Sequence, residues 1–216
     1  MAASRDNPGG EATAGRDALG SPSPPPGHCQ AVVLGTSGSG KSTLASELAA
    51  REGVRHIELD GLAHGPNWTP VPEEEFRHKL DELSRQPGWV FDGNYLDRAD
   101  RILWPRAHVI IWLDLPLRVI LTRLLRRTVW RIASRKRLWN GNRETWRALV
   151  GRDSVLMWAL KSHRMYAREF PGRLASLRQE GKTVVQLRSA AEVRRWLDQL
   201  PGTGVCGPGQ GRLPSR

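Results

Sequence analysis

Gly35-Thr36-Ser37-Gly38-Ser39-Gly40-Lys41-Ser42 fits G-x-x-x-x-G-K-[ST], between the apolar run Ala31-Val32-Val33-Leu34 and the helix-like Thr43-Leu44-Ala45-Ser46-Glu47-Leu48-Ala49. A chain carrying this stretch must end a strand in a glycine-rich loop and open a helix at once. The glycines let the backbone N–H groups wrap a phosphate chain, and the helix aims its positive end at the same anion. Lys41 is expected to reach the β- and γ-phosphates and the Ser42 hydroxyl to sit on Mg²⁺, with Thr43 completing the set that binds ATP. A plain Gly/Ser-rich turn is the competing reading. Strand, loop, Lys-Ser and helix in one register favour nucleotide binding.

Further apolar runs, His56–Leu59, Trp89–Phe91, Val109–Leu113 and Thr183–Leu187, alternate with helix-length segments. That alternation predicts a parallel sheet with helices on both faces. Pro72 opens a helix with Glu73, Glu74 and Glu75 in its first turn and Phe76, Leu80 and Leu83 on its apolar face. Pro116 starts an amphipathic segment with Leu117, Ile120, Leu121, Leu124 and Leu125 on one side and arginines on the other. Asn140-Gly141-Asn142 breaks it, and a second long helix bearing Trp146, Leu149, Val150, Leu156 and Leu160 runs toward Pro171. Ser189-Ala190-Ala191-Glu192 is a capping box before the stripe Val193, Trp196, Leu197 and Leu200.

Residues 1–28 and 201–216 are rich in Gly and Pro and poor in large apolar side chains, so both are expected to be disordered tails around a domain at 29–200. No secretory signal or membrane-length apolar run is read, and the expected location is cytoplasmic. The two cysteines, Cys29 and Cys206, lack C-x-x-C spacing, so neither a disulfide nor a metal role is expected. Of the net charge of +11, much falls between residues 123 and 147, which hold nine Arg/Lys against the single acid Glu144. A solvated helix face, a phosphate clamp and a nucleic-acid contact all fit that pattern.

Three carboxylates stand where strands should end. Asp60, in Glu58-Leu59-Asp60-Gly61, shares the carboxyl rim of the sheet with the glycine loop, either as a turn residue or as a group that orients or deprotonates an acceptor hydroxyl. Asp92 and Asp114 both end apolar strands, and either can act as the carboxylate on Mg²⁺. Asp114 precedes Leu115-Pro116 and a helix it can cap, so the metal role goes to Asp92, beside Ser42. Gly93-Asn94 is read as an approach to the acceptor. Trp89, Trp112, Trp146, Trp158 and Trp196 are read as core, while Trp68, in an aperiodic loop, either stacks on a base or sugar or packs locally. His56, His64 and His78 lack metal-ligand spacing.

With these residues placed, the chain resembles the P-loop nucleoside and nucleotide kinases, and within them the bacterial adenylate-kinase-like proteins labelled DNA topology modulation proteins. The resemblance spans about residues 30–200 and is carried by Leu59-Asp60 with Pro66-Asn67-Trp68, Asp92-Gly93-Asn94-Tyr95, Arg123-Leu124-Leu125-Arg126-Arg127-Thr128 and Leu138-Trp139-Asn140-Gly141-Asn142-Arg143-Glu144. It implies a three-layer α/β/α fold with a five-stranded parallel sheet in the order 2-3-1-4-5. It also implies an acceptor-binding insertion at about 61–88, and an arginine-rich helical lid at about 123–145 in which Arg123 and Arg127 act on the phosphates. Adenylate kinase itself places an arginine-bearing acceptor site where this chain has Asp60; the acid is similar to uridine and shikimate kinases, which phosphorylate a hydroxyl. Two functions follow as expectations: a phosphotransferase that moves the γ-phosphoryl of ATP to a small-molecule acceptor, and, as the alternative, an ATPase that grips nucleic acid through its basic segment.

Overall fold

The computed structural model describes residues 28–134, 138–142, 154–200 and 205–206. Strands β1 (Gln30–Gly35), β2 (Arg55–Glu58), β3 (Trp89–Asp92), β4 (Val109–Leu113) and β5 (Thr183–Leu187) form one sheet in the order β2-β3-β1-β4-β5. All the pairings are parallel, the order implied by the family resemblance. β1 lies in the middle, with Val33 opposite Asp92 of β3 and Gly35 opposite Leu113 of β4. The loop that leaves β1 therefore emerges beside the end of β3.

Period-two alternation sorts the strand residues into two cores. Val32, Leu34, Phe91, Ile110 and Trp112 face α3 (Glu73–Ser84), α4 (Asp100–Arg106) and α6 (Val155–Gln179), where Phe76, Leu80, Leu103 and Phe170 are buried. Ala31, Val33, Val90, Ile111 and Val185 face α1 (Lys41–Glu52) and α7 (Ala190–Asp198), meeting Leu44, Leu48, Trp196 and Leu197. Each large apolar side chain so buried contributes about 1.5–3 kcal/mol. A short α2 (Leu59–Ala63) follows β2, and α5 (Leu117–Ala133) follows β4, burying Ile120 and Leu124. The N-cap half of the expected capping box at the start of α7 is formed, Ser189 Oγ accepting from Glu192 N at 3.1 Å, while Glu192 Oε2 reaches one residue further back and accepts from Arg188 N at 2.7 Å.

Several expectations change. β2 stops at Glu58, because Leu59 turns inward as the first residue of α2, and Asp60 rides on that helix. Rather than stopping near Pro171, α6 runs through it, since Phe170, Leu174 and Leu177 are buried on both sides of the proline. Trp158 is 56% exposed rather than core: the inward stripe of α6 is Ala159, Ser162, Tyr166 and Phe170. Cys29 and Cys206 are joined in a disulfide across 177 residues of sequence. Val205 and Cys206 are buried against α1, where Glu52 Oε1 accepts the Val205 N–H. Burial there raises the Glu52 carboxyl above its ordinary range, although that N–H opposes the shift. Neither Cys spacing nor local composition reports a pairing that only the packing of the 205–206 segment beside the start of β1 brings together. Trp146, Leu149, Val150, Arg135, Lys136, Arg137, Arg143, Glu144, Arg147 and the remaining tail positions lie outside the described residues.

Candidate active site

β1 ends at Gly35 and α1 begins at Lys41, so the loop between them is clamped from both ends. Ser39 N donates to Thr36 O at 3.0 Å and Leu44 N to Gly40 O at 3.0 Å. Gly38 has φ +90°, and a Cβ there would come within 2.8 Å of the Ile120 carbonyl on α5. Gly40, at φ +99°, is the N-cap of α1 and leaves the helix N-terminus open toward the cleft. Asn94 pins the loop from β3: its Oδ1 accepts from Gly35 N at 2.8 Å and its Nδ2 donates to Gly35 O at 2.7 Å. The Gly93-Asn94 pair, read in sequence as an approach to the acceptor, thus also holds the loop.

Asp92 is 3% exposed, and its two oxygens have separate partners. Oδ1 accepts from Ser42 Oγ at 3.3 Å, and Oδ2 lies 2.7 Å from His56 Nε2 of β2. His56 was legible only as a strand residue. Its meeting with Asp92 needs β2 beside β3, a neighbour relation that ligand spacing along the chain does not reveal. Asp114 sits elsewhere: its Oδ2 accepts from Gln186 Nε2 at 2.8 Å and lies 3.9 Å from Arg188 Nε. It does not cap α5, whose N-cap is Pro116. Of the two strand-end carboxylates, Asp92 is the one hydrogen-bonded to Ser42.

Asp60 lies in the first turn of α2, and its Oδ1 accepts from Tyr95 Oη at 2.7 Å. Burial, reinforced by the Asp60 carboxylate, pushes the Tyr95 hydroxyl far above the usual phenol range, so it remains a donor at neutral pH. Tyr166 on α6 is likewise raised by burial. Tyr95 escaped sequence reasoning as a site residue because its partner is 35 positions away on another element.

Two clefts meet at Lys41. One, of about 510 Å³, is bounded by Ser37, Lys41, Asp60, Asn94 and Tyr95 and by α6. The other, of about 540 Å³, runs along Gly38, Ser39, Gly40, Ser42 and Thr43 to Arg123, Arg127 and α7. Arg123 Nη1 donates to Ser39 O at 3.2 Å, so the arginine side of α5 lies over the glycine loop. Trp68 belongs to neither wall; its ring meets His64 edge-on at 5.7 Å and Trp139 at 6.3 Å. That outer loop is tied to Leu138–Asn142: Asn142 Oδ1 accepts from Trp68 N at 3.0 Å, and Asn142 Nδ2 donates to Gly65 O at 3.0 Å.

The arrangement combines an anion cradle, a lysine between two clefts, a carboxylate at the Ser42 hydroxyl and a second carboxylate across the junction. The fold is that of the P-loop kinases. The solved shikimate kinase of Bacteroides thetaiotaomicron superposes with a TM-score of 0.50 at 13% identity, covering 79% of this chain and 97% of that one. The Acinetobacter baumannii shikimate kinase, solved in complex with shikimate, gives 0.50 at 15% identity over 80% of this chain and 91% of its own. In sequence, a curated shikimate kinase from Aromatoleum aromaticum is 29% identical over 103 residues, 41% of this chain. The chain spans 59% of the length of that relative. No protein-family model matches the chain.

Proposed function

We propose that this protein is a phosphotransferase that moves the γ-phosphoryl group of ATP to a hydroxyl on a small molecule. The observation that carries the reading is the position of Lys41 at the junction of two clefts, one along the glycine loop and one along Asp60 and Tyr95. ATP fits the first: open N–H groups at the start of α1 and the lysine suit the phosphates, and Arg123 and Arg127 are near enough to share their charge. Mg²⁺ fits Ser42 and Asp92, a hydroxyl and a nearly buried carboxylate whose other oxygen meets the His56 ring. Bound there, the ion would neutralise phosphate charge.

The acceptor hydroxyl enters from the second cleft. Its oxygen bonds to the γ-phosphorus as the bond to the β,γ-bridging oxygen breaks, ADP leaves, and the hydroxyl proton passes to Asp60. Tyr95 orients that carboxylate through its 2.7 Å hydrogen bond. The named relatives are shikimate kinases, whose reaction is of this class, and a hydroxyl acceptor is consistent with Asp60 standing after β2.

The experiment is acceptor-dependent ADP release by the wild type and by Lys41→Ala. The lysine side chain contributes to phosphate binding rather than to the core, so the variant should fold. Its kcat/KM should fall on the order of a thousandfold or more. Unchanged turnover in folded Lys41→Ala would remove the assignment.

A further inference from the structure

The described lining of the acceptor cleft is acidic. Asp60, Asp97 and Glu169 line it, and among the described residues its cationic lining is Lys41 and Arg98. Lys41 belongs to the phosphates. Arg98 is committed to the protein: Nε donates to Glu73 Oε2 at 2.5 Å, and its guanidinium lies 4.5 Å over the Phe76 ring. Behind the rim, one guanidinium serves three carboxylates, Arg173 lying 3.3 Å from Asp97, 2.8 Å from Asp100 and 3.4 Å from Glu169. Among the described residues, that wall therefore keeps a net negative charge. A free guanidinium fork or ammonium is the side-chain group best suited to a carboxylate or phosphate, and apart from Lys41 no described lining residue offers one.

The opposite wall is apolar. Trp158 and Met165 stand two turns apart on α6, 56% and 37% exposed, and both face the cleft. Tyr166 beside them is held by parallel stacking on Phe170 at 4.8 Å. A flat or apolar ligand face would cover surface that a solvated helix has no reason to display.

On the phosphotransfer reading above, we infer that the acceptor is a hydroxyl compound bearing no carboxylate or phosphate, uncharged or cationic, with a flat or apolar face laid on Trp158 and Met165. Its class thus departs from the hydroxy acid that the shikimate kinases take.

The test uses the full chain with ATP and Mg²⁺ and measures ADP release with matched probes: nucleosides against their 5′-monophosphates, and aminocyclitols against shikimate and gluconate. At least one uncharged or cationic probe should raise release about tenfold or more above the acceptor-free rate, while its anionic counterpart stays at background. Glu169→Lys should move the ratio of anionic to neutral turnover toward the anion by about tenfold. An anionic probe that outperforms its uncharged counterpart overturns the inference. Silence from every probe, with ATP still bound in a Lys41-dependent way, overturns this acceptor class and leaves the kinase reading standing. ATP binding indifferent to Lys41→Ala overturns the kinase reading itself.

Discussion

At the scale of single residues, the proposed phosphotransfer rests on how two carboxylates are held. Asp60 is tied to Tyr95, whose raised hydroxyl remains a donor, and Asp92 is divided between Ser42 and His56. Asp60→Asn preserves size and hydrogen bonding but removes the base, so turnover should fall roughly a hundredfold or more with little change in ATP affinity. A rate equal to wild type would return Asp60 to the status of a helix-turn residue. Tyr95→Phe keeps the ring against Phe76 and removes only the donor. Its loss should be smaller, about tenfold in kcat, because the base is misoriented rather than absent. The residue types at these two positions were legible in sequence, since acids following apolar runs stand out, although Asp60 stands on α2 rather than at the end of β2. Their partners were not, because His56 and Tyr95 reach them across the fold.

At the scale of elements, α5 decides how the basic segment is used. Arg123, Arg127 and Arg131 fall on the side of α5 that borders the glycine loop, while Ile120 and Leu124 are buried. In a lid, a few arginines act on the transferring group. Single changes at Arg123 or Arg127 should then cost about tenfold to a thousandfold in kcat. A nucleic-acid grip predicts the opposite pattern: each change weakens duplex or single-strand binding slightly and lowers the salt slope by about one unit, with Arg135, Lys136 and Arg137 counting as much as Arg123. Turnover and salt-series binding on the same variants separate the two. Turnover insensitive to Arg123 and Arg127, with strongly salt-dependent binding lost gradually over all basic positions, would favour the nucleic-acid reading. The periodicity of α5 could be read directly from its leucines and arginines. Its docking could not, because the close approach at Gly38 depends on where α5 lies after β4.

At the scale of the whole molecule, the Cys29–Cys206 bond ties the start of the central strand to a point 177 residues later. Cross-linking so long a loop restricts the unfolded chain; the chain-entropy account gives about 5 kcal/mol at this length, and disulfides typically contribute about 2–4 kcal/mol. Reduction, or Cys206→Ser, should lower the melting temperature by roughly 4–16 °C, measured by thermal unfolding with and without reductant. An identical melting curve would show that the bond contributes nothing to folding stability. Among the described residues, no helix is long and apolar enough to cross a membrane. The sequence by itself determined the strand–loop–helix around Lys41, the α/β alternation and the acid that ends β3, because each depends on neighbours along the chain. Sheet order followed from the family resemblance and stands in the structure. Only the tertiary structure decided the disulfide, the outward face of Trp158, the His56–Asp92 and Tyr95–Asp60 pairs, and the charge of the acceptor cleft. Each of those depends on how different elements pack, and local pattern carries no information about which side chains parallel strands and their crossover helices bring together.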